Sequence, residues 1–217
     1  MAVAAVIFDF GGVLTTSPFE AFARYERERG LPDGFLRRVN ATDPHTNAWA
    51  RFERAEIDAA ECNSAFEAES RGLGHPVPGR EVLPLLSGDL RPAMITALQA
   101  CKRRVKVGCI TNNVQTGSGA GMASTMEKAK AVGEVMALFD QVIESSKAGV
   151  RKPDPLIYRM MYDALEVAPA ECVYLDDLGI NCKPAAALGM TAIKVTTEAQ
   201  ALADLAAVTG FDLSEGA

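Results

Sequence analysis

Five short apolar segments, separated by stretches with helical patterns, constrain the fold of this chain most strongly. Each segment has the length of one strand, and continuous apolar runs are typical of strands buried on both faces of a parallel sheet. The segments cover residues 3–8, 105–111, 141–145, 172–175 and 191–195. In the second half of the chain they alternate with helices predicted over residues 155–165 and 182–188, as in right-handed βαβ crossovers. The pattern predicts an α/β fold with a doubly wound parallel sheet.

The alternation breaks down between the first and second segments, where only helix-like stretches occur. These stretches cover residues 19–29, 32–39, 46–53, 59–70 and 91–102. A helical insertion after the first strand of a parallel sheet lies above the carboxyl ends of the strands, where such folds bind ligands. We therefore predict a Rossmann-like core domain of residues 1–16 and 105–217. A small helical cap domain, with its connecting hinges, takes residues 17–104.

Composition and charge narrow the possible partners and the compartment. The net charge of −6 offers no attraction for nucleic acid. No segment approaches the roughly 20 apolar residues of a membrane span, and the first apolar run is too short for a signal-peptide core. The five cysteines are scattered without a C-x-x-C pair, so we expect free thiols in a reducing cytoplasm. Oligomeric state leaves no trace in the sequence.

Reactive residues stand where the predicted strands end. The first strand runs into Asp9, the second into Thr111 and the fourth into Asp176-Asp177, while Lys152 lies in a strand-to-helix turn. Taken singly, such residues have ordinary explanations as turn formers, helix caps or solvated side chains. Strand ends converge in a parallel sheet, however, and a carboxylate, a hydroxyl, a lysine and an acidic pair are the groups that phosphoryl transfer needs.

The predicted reaction requires cations, because an anionic nucleophile must approach an anionic phosphate. Lys152 supplies one positive charge and a divalent metal supplies the other. Mg²⁺ prefers oxygen ligands and keeps several waters, so Asp9 and Asp177, with Asp176 in support, form a sufficient set. Neighbouring acids would raise one another's pKa if no cation lay among them. We therefore predict Mg²⁺ as the cofactor.

In order and spelling, these motifs resemble those of the haloacid dehalogenase superfamily over nearly the whole chain. Residues 138–195, from LFDQVIESSKAGVRKPDPLIY to YLDDLGINCKPAAALGMTAIKV, look most like the N-terminal phosphatase domain of soluble epoxide hydrolases and the related domain of some acyl-CoA dehydrogenases. The helical insertion is similar to the small cap domain of that superfamily. The resemblance implies a phosphatase-like hydrolase of a small phosphorylated metabolite.

The resemblance also assigns roles to individual residues. It implies that Asp9 is the nucleophile that forms an aspartyl-phosphate, and that Thr111 and Lys152 bind the phosphoryl oxygens. Asp9, Asp177 and the backbone carbonyl of Gly11 would hold Mg²⁺. Three neighbours of these motifs are expected to contact the substrate: Gly12, Asn112 and Asn113.

One position departs from the superfamily pattern. Phosphatases of this type usually carry a second Asp two residues after the nucleophile to protonate the leaving group, whereas this chain has Gly11. A general acid is typically worth about 10²–10⁴ in rate. We therefore expect slow or selective turnover that favours leaving groups needing no protonation, such as acyl or aryl phosphates.

Two other functions stay open on the sequence. A metal-independent dehalogenase would use Asp9 to displace halide from carbon. The Asp176-Asp177 pair argues against this function, because two acids beside the nucleophile repel one another without a cation. A non-catalytic binding module would keep the fold and the Mg²⁺ site without turnover.

Substrate choice is expected to come from the cap and from the glycine-containing loop at residues 114–124, whose side chains carry no recognisable code. His45 and His75 have the pattern of surface or hinge residues rather than ligands. Trp49 and Phe52, three apart on a predicted helix, are typical of cap core.

Overall fold

A sheet of five parallel strands lies at the centre of the protein, in the order β3-β2-β1-β4-β5. The structure is a computed structural model and describes residues 2–114 and 125–214. The strands are β1 (Ala5–Phe8), β2 (Lys106–Thr111), β3 (Gln141–Glu144), β4 (Cys172–Asp176) and β5 (Thr191–Lys194). The predicted doubly wound α/β class is confirmed.

Helices cover both faces of the sheet, because alternate strand residues point to opposite sides. On one face, Val6 and Phe8 pack with helices α6 (Pro92–Lys102), α7 (Met126–Met136) and α11 (Glu198–Thr209). On the other face, Ala5 and Ile7 pack mainly with α9 (Pro155–Ala164) and α10 (Gly179–Ala187). A short helix, α8 (Ser145–Ala148), follows β3 directly. Burial on both faces explains why the strands read as continuous apolar runs.

The helical insertion forms its own apolar core above the sheet. Its helices are α1 (Pro18–Arg29), α2 (Phe35–Ala41), α3 (Ala48–Glu53), α4 (Ala59–Gly72) and α5 (Gly79–Val82). Phe35, Trp49 and Phe66 belong to one buried cluster that draws on most of these helices. Among the described residues, no helix combines the length and the apolar character needed to span a bilayer.

The cap boundary at residue 104 stays a prediction, and the packing of α6 favours an earlier end of the cap. Side chains of α6, including Met94 and Leu98, belong to the apolar core of the sheet. The two segments that connect the cap to the core pair with each other before α6 begins. The N–H of Thr16 donates to the carbonyl of Asp89 at 2.8 Å, and the N–H of Arg91 donates to the carbonyl of Leu14 at 2.8 Å. We therefore propose a cap of residues 17–88, because α6 is an amphipathic helix of the core that the helical pattern alone did not separate from the cap.

Candidate active site

A cavity of about 380 Å³ lies between the carboxyl edge of the sheet and the cap. Its floor carries the residues that follow the central strands, because β1 lies between β2 and β4 in the sheet. Asp9, Thr111, Lys152 and Asp177 all line this cavity. The structure therefore brings these four predicted residues together.

Asp9 follows β1 directly, and one of its two carboxylate oxygens is held by hydrogen bonds. Its backbone N–H donates to the carbonyl of Leu175 at 2.8 Å, which extends the β1–β4 pairing by one residue. Oδ1 accepts from the N–H of Phe10 at 2.7 Å and from Nζ of Lys152 at 2.7 Å. Burial raises the pKa of Asp9 well above its usual value, and Lys152 opposes that shift. Among the described residues, no hydrogen-bond donor engages Oδ2, so this oxygen is available for reaction.

Lys152 is a buried cation at the floor of the cavity. Its side chain is 1% exposed, and Nζ lies 2.7 Å from Asp9 Oδ1 and 2.8 Å from Asp176 Oδ2. Nζ also donates to the carbonyl of Ile110 at 3.0 Å. Burial lowers the pKa of Lys152, but Asp176 and Asp9 more than offset this and leave its pKa raised. The ammonium is thus charged and fixed beside the carboxylate of Asp9.

Asp176 is fully buried, and both of its oxygens are saturated. Oδ2 accepts from Lys152 Nζ, from the hydroxyl of Tyr174 and from the amide of Asn181 at 3.1 Å. Oδ1 accepts from the N–H of Leu178 at 2.8 Å and again from Asn181 at 3.1 Å. These contacts make Asp176 the residue that positions Lys152.

Asp177 differs from its neighbour, because it is half-buried and lines the cavity. Its Oδ2 accepts from the hydroxyl of Ser17 at 3.3 Å. Burial and the charge of Asp176 raise the pKa of Asp177 to about 6. Carboxylate oxygens of Asp9, Asp176 and Asp177 lie within 4.8 Å of one another. This crowded set of oxygens suits a hard divalent cation, and Mg²⁺ fits it on the chemistry of its donors.

Gly12 is required by the close approach of Asp177. Its φ is +78°, and a Cβ at this position would lie 2.2 Å from Asp177 Oδ2. Gly11 has the opposite environment, since a Cβ there would meet nothing within 4 Å, and it lines the cavity. Gly12 is not among the lining residues, so its expected contact with substrate stays a prediction.

The two asparagines after β2 have separate places. Asn112 lines the cavity and accepts from the N–H of Lys152 at 2.9 Å while donating to its carbonyl at 3.1 Å, which fixes the backbone of that lysine. Asn113 does not line the cavity. It donates to Glu144 at 2.7 Å and accepts from the hydroxyl of Ser146 at 2.8 Å, so it ties this loop to α8. Residues 115–124 of the glycine-containing loop lie outside the described residues.

An ion pair that the sequence did not predict joins the cap to the core. Arg151 Nε lies 2.5 Å from Glu53 Oε2, and Trp49 Nε1–H donates to Glu53 Oε1 at 2.9 Å. Arg151 Nη1 also donates to the carbonyl of Pro44 at 2.9 Å. Burial raises the pKa of Glu53, and the charge of Arg151 opposes that shift. In the sequence, this ion pair is indicated by no more than the position of Arg151 directly before Lys152.

The cap wall of the cavity is largely apolar, with a few polar groups among the aromatic rings. Trp49 lines the cavity while packing against Phe66 at a ring distance of 6.2 Å, so it serves the cap core as predicted and also faces the cavity. His45 is exposed, as its pattern indicated, and it also lines the cavity. His75 instead packs edge-on against Phe35 at 5.2 Å.

Comparisons with known proteins show the family to which the chain is similar. A family model described as haloacid dehalogenase-like hydrolase matches residues 3–189. The chain is 32% identical over 225 residues to bifunctional epoxide hydrolase 2 of Sus scrofa, covering 98% of this chain and 40% of that protein. It is 27% identical over 215 residues to phosphatase MT3486 of Mycobacterium tuberculosis, covering 92% of this chain and 90% of that protein.

The solved structures support the fold. A magnesium complex of the HAD family enzyme bt-2542 from Bacteroides thetaiotaomicron superposes with a TM-score of 0.59 at 19% identity, covering 90% of this chain and 94% of that one. At this identity the likeness concerns the fold alone. The chain spans 40% of the length of its epoxide hydrolase relatives.

Proposed function

The chain belongs to the haloacid dehalogenase-like hydrolase family, and on that premise we propose that it is a Mg²⁺-dependent phosphatase of a small phosphorylated metabolite. One observation carries the proposal: Lys152 Nζ lies 2.7 Å from Asp9 and 2.8 Å from Asp176 at the floor of the cavity. This contact places a fixed positive charge beside a carboxylate that still has a free oxygen. Relatives named as phosphatases support the same reaction class.

The proposed reaction has two steps, both centred on Asp9. Its Oδ2 attacks the phosphorus, the bond from phosphorus to the leaving oxygen breaks, and an aspartyl-phosphate forms. Water then attacks the phosphorus and releases inorganic phosphate and the carboxylate. Lys152 neutralises charge on the phosphoryl oxygens throughout, and the hydroxyl of Thr111 donates a hydrogen bond to one of them. Asn112 assists by holding the backbone of Lys152 in place.

Mg²⁺ is the proposed cofactor, held by Asp9, Asp177 and the backbone carbonyl of Gly11. When bound, it supplies positive charge that lowers the repulsion between carboxylate and phosphate. The side chain of Asp176 is saturated by its own partners, so we assign it the positioning of Lys152. Gly12 supports the set because its lack of a Cβ lets Asp177 approach.

The absence of an acidic side chain at position 11 bears on the choice of substrate. We expect acyl and aryl phosphates to be hydrolysed faster than alkyl phosphates, because their leaving groups depart without a proton. A Gly11→Asp variant has room for its side chain, since a Cβ there meets nothing within 4 Å. It should raise turnover of alkyl phosphates selectively. Equal rates for both classes in wild type, unchanged in the variant, would refute this preference.

The proposal is tested by phosphate release with and without Mg²⁺ in wild type and in Asp9→Asn. We expect Mg²⁺-dependent release that Asp9→Asn abolishes, because the amide is not a nucleophile. Asp163→Asn, on an exposed surface of α9, is the matched control and should keep full activity. Tight binding of Mg²⁺ with a phosphate mimic but no turnover would instead indicate a binding module. Metal-independent halide release would indicate a dehalogenase.

A reducing cytoplasmic location completes the proposal. All five cysteines are free and buried, and no pair forms a disulfide. Such thiols need no oxidising compartment for stability. We propose no nucleic-acid and no membrane partner, and the oligomeric state stays open to measurement.

A further inference from the structure

The proposed phosphatase lacks a proton donor at position 11, and a leaving alkoxide needs one. We propose that His45 of the cap donates this proton for alkyl phosphates, an inference that rests on the proposed function. Because it acts from the opposite wall of the cavity, it replaces an acid at position 11 only in part, and acyl and aryl phosphates stay the faster substrates. His45 lines the same cavity as Asp9 and Gly11. The place where an acid at position 11 would stand is open space. A cap residue that reaches this space can serve the same oxygen from the other side of the cavity.

The other titratable groups around the cavity are already engaged. Both oxygens of Glu53 are occupied, one by Arg151 at 2.5 Å and the other by Trp49 Nε1–H at 2.9 Å. Lys152 has a raised pKa and is held by two carboxylates, which makes it a poor acid. Asp9 is the nucleophile and Asp177 the proposed metal ligand. None of these four has a proton free for a leaving group.

Arg37 and Arg151 also line the cavity, but a guanidinium does not give up its proton in proteins, so His45 is the group that remains. Within the described residues, its ring makes no hydrogen bond and no ion pair, so both ring nitrogens are available. Residues 115–124 read QTGSGAGMAS and contain no acid, histidine, lysine, cysteine or tyrosine, so that segment offers no competing donor. Histidine is the side chain that most often acts as a general acid in enzymes.

The backbone around His45 is held against the catalytic edge of the sheet. The carbonyl of Pro44 accepts from Arg151 Nη1 at 2.9 Å, and Arg151 directly precedes Lys152. On the cap side, the N–H groups of Thr46 and Asn47 donate to the carbonyl of Asp43 at 2.9 and 3.0 Å. The turn that carries His45 is therefore anchored from both domains. His45 itself is exposed and lines the cavity.

The proton balance of the proposed step is complete. As the bond from phosphorus to the leaving oxygen breaks, its electron pair goes to that oxygen, which takes the proton of the His45 imidazolium. The neutral imidazole then takes a proton from the water that attacks the aspartyl-phosphate. One alcohol and one inorganic phosphate leave, and His45 returns to its starting protonation state.

The test compares two esters with different leaving groups in His45→Gln. Hexyl phosphate leaves as a basic alkoxide, whereas p-nitrophenyl phosphate leaves as a stable phenolate. We expect kcat/KM for hexyl phosphate to fall by about 10²-fold, while that for p-nitrophenyl phosphate changes by less than about twofold. His75→Gln is the matched control, since His75 packs on Phe35 away from the cavity, and it should change neither rate.

A second variant separates proton donation from any structural role of His45. Adding Gly11→Asp to His45→Gln places a carboxyl where the superfamily has its acid, and we expect hydrolysis of hexyl phosphate to reach the rate of the single Gly11→Asp variant. A double variant that stays about 10²-fold below the single variant would indicate a structural role of His45 instead. A loss that falls equally on both esters, or no loss at all, would overturn the role of His45 while leaving the phosphatase proposal intact. If wild type releases no phosphate from either ester in an Asp9-dependent way, both proposals fall.

Discussion

The sheet wall and the cap wall of the cavity hold their polar groups in different ways. On the sheet wall, Asp176 is fully buried with both oxygens saturated, and Lys152 is locked between two carboxylates. On the cap wall, His45 has no hydrogen-bond or ion-pair partner among the described residues. Arg151 ties this wall to the core by its ion pair with Glu53 and by its hydrogen bond to the carbonyl of Pro44. The rigid wall suits charge stabilisation, which needs fixed dipoles. The unpartnered side chain of His45 on the cap wall suits proton delivery, and the apolar side chains of that wall suit substrate selection.

The largest expected effect is a difference in the free energy of unfolding between variants of two adjacent acids on the sheet wall, Asp176 and Asp177. Asp176→Ala leaves Lys152 buried without its main counter-charge, and should lower the free energy of unfolding by about 3–5 kcal/mol. Asp177→Ala removes a half-buried acid whose pKa is raised to about 6 by burial and by Asp176, and should change it by less than about 1 kcal/mol. Urea denaturation without Mg²⁺ measures both. Similar losses in the two variants would contradict the distinction between a positioning residue and a metal ligand.

A smaller effect on stability and on the response to Mg²⁺ is expected from substitutions of the adjacent Gly11 and Gly12. Gly12→Ala imposes a side chain at φ +78° with its Cβ 2.2 Å from Asp177 Oδ2. We expect a loss of about 1–2 kcal/mol from the left-handed backbone alone, together with loss of any Mg²⁺-induced rise in Tm. Gly11→Ala meets nothing within 4 Å and should leave stability unchanged. Retention of the Mg²⁺ effect in Gly12→Ala would show that Asp177 does not hold the metal.

The smallest effect concerns the reactivity of buried thiols in the cap and in the core domain. Burial raises the pKa of Cys62 in the cap to about 11 and that of Cys101 in the core to about 12, so both should react slowly with a thiol reagent in the native protein. In low urea we expect Cys62 to be labelled first, because the cap core is the smaller of the two. Mass spectrometry of partly labelled protein measures the order, with Cys62→Ser as control. Equal labelling of Cys62 and of the core cysteines would show that the cap and the core domain open together.

The local pattern of the chain was sufficient for the fold class and for most of the sheet wall. Strands buried on both faces must be apolar throughout, so β1, β2 and β4 were readable as runs. Residues at the carboxyl ends of parallel strands share one edge, so Asp9, Thr111 and Asp177 were expected to meet. These inferences succeeded because strand burial and strand direction are local properties of the chain.

Contacts between distant segments had no such local signature. The helical pattern of α6 is the same whether it packs on the sheet or in the cap, and only the packing of Met94 and Leu98 decides. Arg151 and Pro44 are 107 positions apart, and their contact depends on how the cap docks on the core.

The same limit separates the two walls of the cavity. The sequence determined the fold class and a reactive edge centred on Asp9, since these follow from strand burial and strand direction. Only the tertiary structure decided that Asp176 is saturated, that Asn113 turns away from the cavity and that His45 faces it. The physical reason is that hydrogen-bond saturation and cavity exposure belong to the assembled chain, and no segment carries them alone.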